Sequence, residues 1–219
     1  MPDENPPAGR GFVPHRVILP KGTPLWRVHS RKRPCEQFVD RLPRPGLAGG
    51  RFDGTAEDRY QHVYLAYEQS TALAEFLLRS VGFDGVGLRQ LPHVTVTGKR
   101  LSLLETTREI ALITLSSTPA LAAVAQDEWL IQAQPLDYPR TRRWAHWLRA
   151  IDEDAAGLEW ISRRNLPHRC LVLFRDRCGP APLTPTPLHV DLDSESGLTW
   201  LNVILRPYRA YVTSPVADG

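Results

Sequence analysis

Apolar positions along this chain recur in two patterns. Pro24-Leu25-Trp26-Arg27-Val28-His29 alternates between apolar and polar residues, which predicts a half-buried strand. Short apolar runs at 63–67, 101–104, 110–115, 158–162 and 170–174 predict five more strands. Helical spacing appears after Thr141, where Trp144, Trp147, Leu148 and Ile151 form one stripe that reads as core. Thr141 is placed to cap that helix and Gly157 to stop it. Ser70 is placed to cap a helix over 71–79, which contains no Gly or Pro. A short helix is expected at 119–124, and a helix followed by a strand over 198–212.

The breaks between these segments organise the chain. Pro2, Pro6 and Pro7 argue against an early helix, so 1–20 reads as a tail with an entry strand at Val17-Ile18-Leu19. Residues 30–50 are rich in Pro, Arg and Gly and read as a long loop. Pro180, Pro182, Pro185 and Pro187 mark 179–188 as a loop or linker. The expected organisation is a tail over 1–20, a main domain over 21–178, and a Pro-rich linker and C-terminal segment over 179–219 docked on that domain. Strands and helices mix without regular βαβ alternation, which favours an α+β fold over a doubly wound sheet.

Composition narrows the class. The 219 residues are 42% hydrophobic and 23% charged, which excludes a disordered or fibrous chain. No apolar run approaches the roughly 20 residues of a membrane helix, and the polar, Pro-rich start lacks a secretory signal, so a soluble cytoplasmic protein is expected. Cys35, Cys170 and Cys178 are too few and too scattered for a disulfide framework or a close-spaced zinc motif. The seven histidines show no ligand spacing, so no metal site is expected. The net charge of +3 is built from 24 Arg and only 3 Lys, and Arg is the better residue for forked recognition of phosphate. The run from His29 to Pro34 is basic enough to touch nucleic acid, but a solvated loop is the plainer reading and direct nucleic-acid binding is not expected.

Four residues draw attention for their chemistry. Glu75 lies among Ala, Leu and Phe near the start of a helix, a setting for a tuned acid or an electrostatic stabiliser. Arg27 sits on the strand at 24–29. Arg51 follows Gly49-Gly50, and glycines beside an arginine let the backbone approach an anion closely. Neither belongs to a Walker or Rossmann fingerprint. Ser162 ends the strand at 158–162 without a G-x-S-x-G elbow, so a serine hydrolase is not indicated.

Taken in order, the segments Leu25-Trp26-Arg27-Val28, Gly49-Gly50-Arg51-Phe52, Val63-Tyr64-Leu65-Ala66, Thr71-Ala72-Leu73-Ala74-Glu75 and Gly157-Leu158-Glu159-Trp160-Ile161-Ser162 resemble the RES-domain family over roughly 24–177. The family is named for an Arg, a Glu and a Ser, which match Arg27, Glu75 and Ser162. The resemblance implies an ADP-ribosyltransferase-like fold with two small, mainly antiparallel sheets around an NAD cleft. It implies a bacterial toxin of a toxin–antitoxin pair that consumes NAD⁺ as substrate, with no bound cofactor. The acceptor is left open between water, phosphate and a protein side chain, so an NAD⁺ glycohydrolase, an NAD⁺ phosphorylase and a protein ADP-ribosyltransferase all stand. A non-catalytic binding module on the same fold is the alternative.

By the same resemblance, Glu75 stabilises an oxocarbenium ion, Arg27 and Arg51 bind phosphate or ribose groups, Tyr64 lines the nicotinamide end, and Ser162 positions Glu75 or the substrate. Asp53 stands where many relatives carry Asn or Ser, which puts a polar contact there in doubt. The family's antitoxins are often Xre-type DNA-binding proteins. Such a partner would be a separate chain, and the reading also allows a homo-oligomer.

Overall fold

The computed structural model describes residues 5–9, 11–40, 42 and 49–214. The start of the expected tail, most of the second half of the 30–50 loop and the end of the C-terminal segment lie outside the described residues.

Strands β1 (Arg16–Leu19), β2 (Pro24–Ser30) and β3 (His62–Ala66) lead into helix α1 (Gln69–Leu77). Then come β4 (Arg89–Leu91), β5 (Lys99–Thr106) and β6 (Ile110–Thr114), followed by α2 (Thr118–Ala122), α3 (Trp129–Gln132) and the long α4 (Tyr138–Ile151). The chain continues through β7 (Gly157–Ile161), β8 (Arg169–Phe174), β9 (Leu183–Asp191), α5 (Glu195–Leu205) and β10 (Ala210–Val212). This is the expected α+β mixture.

The described strands form an eight-stranded sheet in the order β1-β6-β7-β8-β3-β2-β5-β9 and a small parallel pair, β4 with β10. The large sheet is two halves joined at one point. β3 pairs with β8 from His62 to Ala66, and β2 pairs with β5 from Pro24 to Ser30, but β2 meets β3 only at Trp26↔Ala66. The expected pair of small sheets is therefore a five-stranded and a three-stranded half of one curled sheet.

Side chains of β8 alternate between two cores. Cys170, Val172 and Phe174 join the larger cluster with Trp144, Leu148 and Leu73, while Leu171 and Leu173 join a second one with Leu19, Val63 and Leu104. A strand covered on both faces needs no polar alternation, which is why 170–174 reads as an unbroken apolar run. Burying each such side chain contributes about 1.5–3 kcal/mol.

Helix α4 is the main brace. Trp144 and Leu148 are fully buried, while Trp147 and Ile151 pack at the edge of the core. Arg149 donates to Asp58 at 2.9 Å and to Asp176 at 2.8 Å, and lies over the rings of Tyr60 and Phe174. One cation thus ties the helix to the segments before β3 and after β8.

Four local expectations change. Helix α4 begins at Tyr138 rather than after Thr141, because Pro139 suits the first turn, where its missing N–H is no loss. Helix α1 begins at Gln69, so Ser70 lies inside the first turn and accepts a hydrogen bond from Asn165 instead of capping. The stretch 179–188 is not all loop: β9 runs through Pro185 and Pro187 as an edge strand on β5. An edge strand has an outward side where no N–H is required, and a register shift opposite Ser102 and Leu104 absorbs the irregularity.

Gly157 does not stop α4, which ends at Ile151, but opens β7. A Cβ there would strike the Val172 carbonyl on β8 and come within 2.9 Å of Leu112 Cδ2. Gly157→Ala is expected to destabilise the protein by about 1–3 kcal/mol, the usual cost of overpacking. The check is the urea midpoint at unchanged m-value, and an unaltered midpoint would show that β7 and β8 can part freely.

Candidate active site

The site is assembled around Gly49-Gly50-Arg51-Phe52-Asp53. Gly49 has φ +63°, a conformation that favours glycine, and a Cβ on Gly50 would collide with Asp53 Oδ1 and the Tyr64 hydroxyl. Asp53 is buried and accepts from the Gly50 amide at 2.6 Å, the Tyr64 hydroxyl at 2.8 Å and His62 Nε2 at 3.1 Å. Burial pushes the Asp53 carboxyl up, but these donors, His62 foremost, outweigh it and hold it below its ordinary value. Helix α4 completes the cradle. Thr141 Oγ1 donates to the Arg51 carbonyl at 2.6 Å, and Arg142 donates to the Gly50 carbonyl through Nε and Nη2. The segment is thus held from both sides, and the Arg51 side chain is presented from a rigid backbone.

Glu75 and Ser162 come from segments far apart in the chain, yet Ser162 Oγ donates to Glu75 Oε1 at 2.6 Å. Ser162 is fully buried, and its oxygen also accepts from the backbone amides of Arg164 and Asn165, both at 3.1 Å. A hydroxyl has one proton and two lone pairs, so with both lone pairs engaged it can only donate to Glu75. The same geometry makes it unsuitable as a nucleophile. Asn165 secures the arrangement by donating to Thr71 Oγ1 at 2.8 Å and Ser70 Oγ at 3.2 Å, while Tyr208 donates to its Oδ1 at 2.7 Å. The start of α1 is thereby pinned to the turn after β7.

A cleft of about 200 Å³ opens where β2 and β3 part, and Arg27, Arg51, Tyr64, Glu75, Arg79 and Trp160 all line it. Among the described lining residues Glu75 is the only carboxylate. None of the three arginines has an ion-pair partner among the described residues. Arg27 donates through Nη1 to the carbonyls of Cys35 and Gln37, and burial lowers its guanidinium to about 10. Arg79 donates to the Gly49 carbonyl at 2.7 Å and lies 5.0 Å over the Tyr138 ring. Arg51 is buried against Tyr138, Phe52 and Trp160, with a single long bond to the Ala133 carbonyl at 3.4 Å. Its Nε and the indole Nε1 of Trp160 are buried without partners.

All five residues singled out in the sequence converge here. Arg27, Arg51, Tyr64 and Glu75 line the cleft, and Ser162 stands behind Glu75. Tyr64 offers its ring only, because its hydroxyl donates to Asp53 and accepts from the Phe52 amide. Asp53, where a polar contact was in doubt, is a buried brace. The sequence reading passed over Arg79, Trp160, Tyr138 and Asn165. Arg79 was within reach, since the expected helix over 71–79 set it one turn from Glu75, although α1 ends at Leu77 and Arg79 follows it. The other three carry no local signal. Among the described residues, no group of three His, Cys, Asp or Glu is placed to hold a metal ion.

Asp53→Asn is expected to lower stability at neutral pH by about 1.5–3 kcal/mol, because it weakens charge-assisted bonds. Since the folded Asp53 carboxyl lies below its unfolded value, its contribution is complete above the ordinary carboxylate pKa and fades as pH falls through the folded one. Chemical denaturation across pH 2–7 checks this, and parallel curves for both proteins would show that Asp53 contributes no such component.

No curated protein matches the chain. A solved structure with a similar fold is the MbcT toxin in the crystal structure of the M. tuberculosis MbcT-MbcA toxin-antitoxin complex. The TM-score is 0.55 and the identity 16%, over 84% of this chain and 87% of that one. The shared fold is ADP-ribosyltransferase-like. The RES domain model matches residues 24–194, spanning every residue that lines the cleft, and the chain therefore belongs to the RES domain family.

Proposed function

We propose that the cleft binds NAD⁺ and that the protein is a toxin-type enzyme that cleaves the nicotinamide–ribose bond. The observation that carries this is a lone carboxylate, held by a hydroxyl that can only donate, in a cleft ringed by three arginines without ion pairs. An oxocarbenium-forming reaction on a pyrophosphate-bearing substrate calls for both features.

In this reading the C1′–N bond breaks and its electron pair leaves with nicotinamide, which discharges the pyridinium. Positive charge develops on the ribose, and Glu75 stabilises it or accepts a bond from the 2′-hydroxyl. Ser162 keeps the carboxylate in one orientation through the step. Arg27 and Arg51 serve the pyrophosphate with forked donors, and the Tyr64 ring walls the nicotinamide riboside end. Water then attacks C1′ and releases a proton, or phosphate attacks and leaves a 1″-phosphorylated ADP-ribose. The fold match to a toxin crystallised with its antitoxin extends the proposal to a separate antitoxin chain as partner.

Nicotinamide release from NAD⁺ by the purified protein, with and without phosphate, tests the reading. Glu75→Gln is expected to lower kcat by at least about 100-fold without loss of fold. A folded Glu75→Gln protein with full turnover would remove Glu75 from the mechanism. Ser162→Ala is expected to lower kcat by about tenfold with little change in KM. It should also cost about 1–3 kcal/mol of stability, since two amide N–H groups lose their acceptor. A loss of stability with kcat intact would make Ser162 purely structural. Arg51→Lys is expected to raise KM about tenfold, because an ammonium cannot reproduce the fork.

A further inference from the structure

A second, larger groove of about 750 Å³ adjoins the cleft and shares Arg27, Tyr64 and Arg79 with it. Five of its described lining residues are cationic: Arg27, Lys32, Arg33, Arg79 and Lys99. The one carboxylate, Asp53, is buried and already holds His62, Tyr64 and the Gly50 amide. Nearby cations are treated differently. Arg31 pairs with Asp193 at 3.0 Å, and Arg100 with Asp191 at 2.6 Å. Lys32, Arg33 and Lys99 have no ion pair among the described residues. Arg33 acts on Arg27 as a like charge, and Glu36 beside it acts more strongly in the opposite sense, both below the effect of burial.

Crowded like charges repel unless an anion shares them. The pyrophosphate of NAD⁺ brings two negative charges, which Arg27, Arg51 and Arg79 already meet at the mouth of the cleft. Lys32, Arg33 and Lys99 are surplus to that need and lie farther out. Phe76 stands between the two cavities, partly exposed, with Lys99 Nζ 5.7 Å from its ring centroid. It offers a flat apolar surface for a base.

We infer that Lys32, Arg33 and Lys99 form a subsite for a third phosphate, so that the protein accepts 2′-phosphorylated dinucleotides of the NADP⁺ class at least as readily as NAD⁺. This rests on the dinucleotide reading of the cleft and adds which dinucleotide it takes. With nicotinamide ribose at Glu75, the adenosine end extends outward, and its 2′-phosphate meets the surplus cations.

Two measurements test it, each on the wild type and on the Lys32→Ala/Arg33→Ala double variant, whose changes fall on exposed side chains. The first is calorimetric binding of adenosine 2′,5′-bisphosphate against adenosine 5′-monophosphate. The second is nicotinamide release from NADP⁺ against NAD⁺. The bisphosphate is expected to bind about tenfold tighter at low salt, with the preference shrinking as salt screens it. The double variant should lose most of that preference, and its kcat/KM ratio of NADP⁺ to NAD⁺ should fall by a similar factor. Equal binding of the two nucleotides, or a preference that survives the double substitution, overturns the subsite. Turnover of NAD⁺ but not NADP⁺, with equal nucleotide binding, sinks the subsite and leaves the NAD⁺ reading standing. A 2′-phosphate preference without nicotinamide release from either dinucleotide does the reverse.

Discussion

Strands β2 and β3 meet at one residue pair, Trp26↔Ala66, and then part. The rest of the site depends on that single contact. A sheet whose central strands stayed paired would close the space between Val28 and Tyr64 with ladder hydrogen bonds. Because they separate, a cleft opens inside the sheet itself, and residues from both strands line it. Arg27 alternates with Trp26 and Val28, so it leaves β2 on the other face from them. It reaches the cleft only because the strands no longer block its way.

A gap in a sheet leaves backbone groups and side chains in need of other support, and the surrounding elements supply it. Helix α4 grips the Gly50 and Arg51 carbonyls through Arg142 and Thr141, while Tyr64 on β3 holds Asp53, which closes the same turn. On the opposite wall, Asn165 and Ser162 fasten α1 to the end of β7. Two rigid walls therefore face each other across the cleft, one presenting Arg51 and the other Glu75. The orientation of both side chains is set before any ligand arrives, which is the condition for electrostatic stabilisation without reorganisation.

The electrostatics follow from what the fold withholds. Some arginines elsewhere are paired: Arg149 with Asp58 and Asp176, Arg16 with Asp152, Arg100 with Asp191. Around the cleft they are held by carbonyl oxygens and aromatic rings, which position a guanidinium without cancelling its charge. Keeping cations uncancelled costs stability. At the cleft an anionic ligand would offset that cost.

The sequence by itself determined most strand and helix segments, β4, β9 and α3 excepted, because alternation and apolar runs are local consequences of which faces are covered. It also named Arg27, Arg51, Tyr64, Glu75 and Ser162, through ordered short motifs that resemble one family. It misread the caps at Ser70 and Thr141 and the strand through Pro185 and Pro187, since helix starts and edge strands depend on neighbours that no local window contains. Only the tertiary structure decided that Ser162 donates to Glu75, that the Tyr64 hydroxyl is committed to Asp53, and that Arg51 has no ion pair among the described residues. Each is a statement about saturation, of lone pairs, of donors and of charge. Saturation depends on which distant residues arrive, and 87 positions of chain separate Glu75 from Ser162.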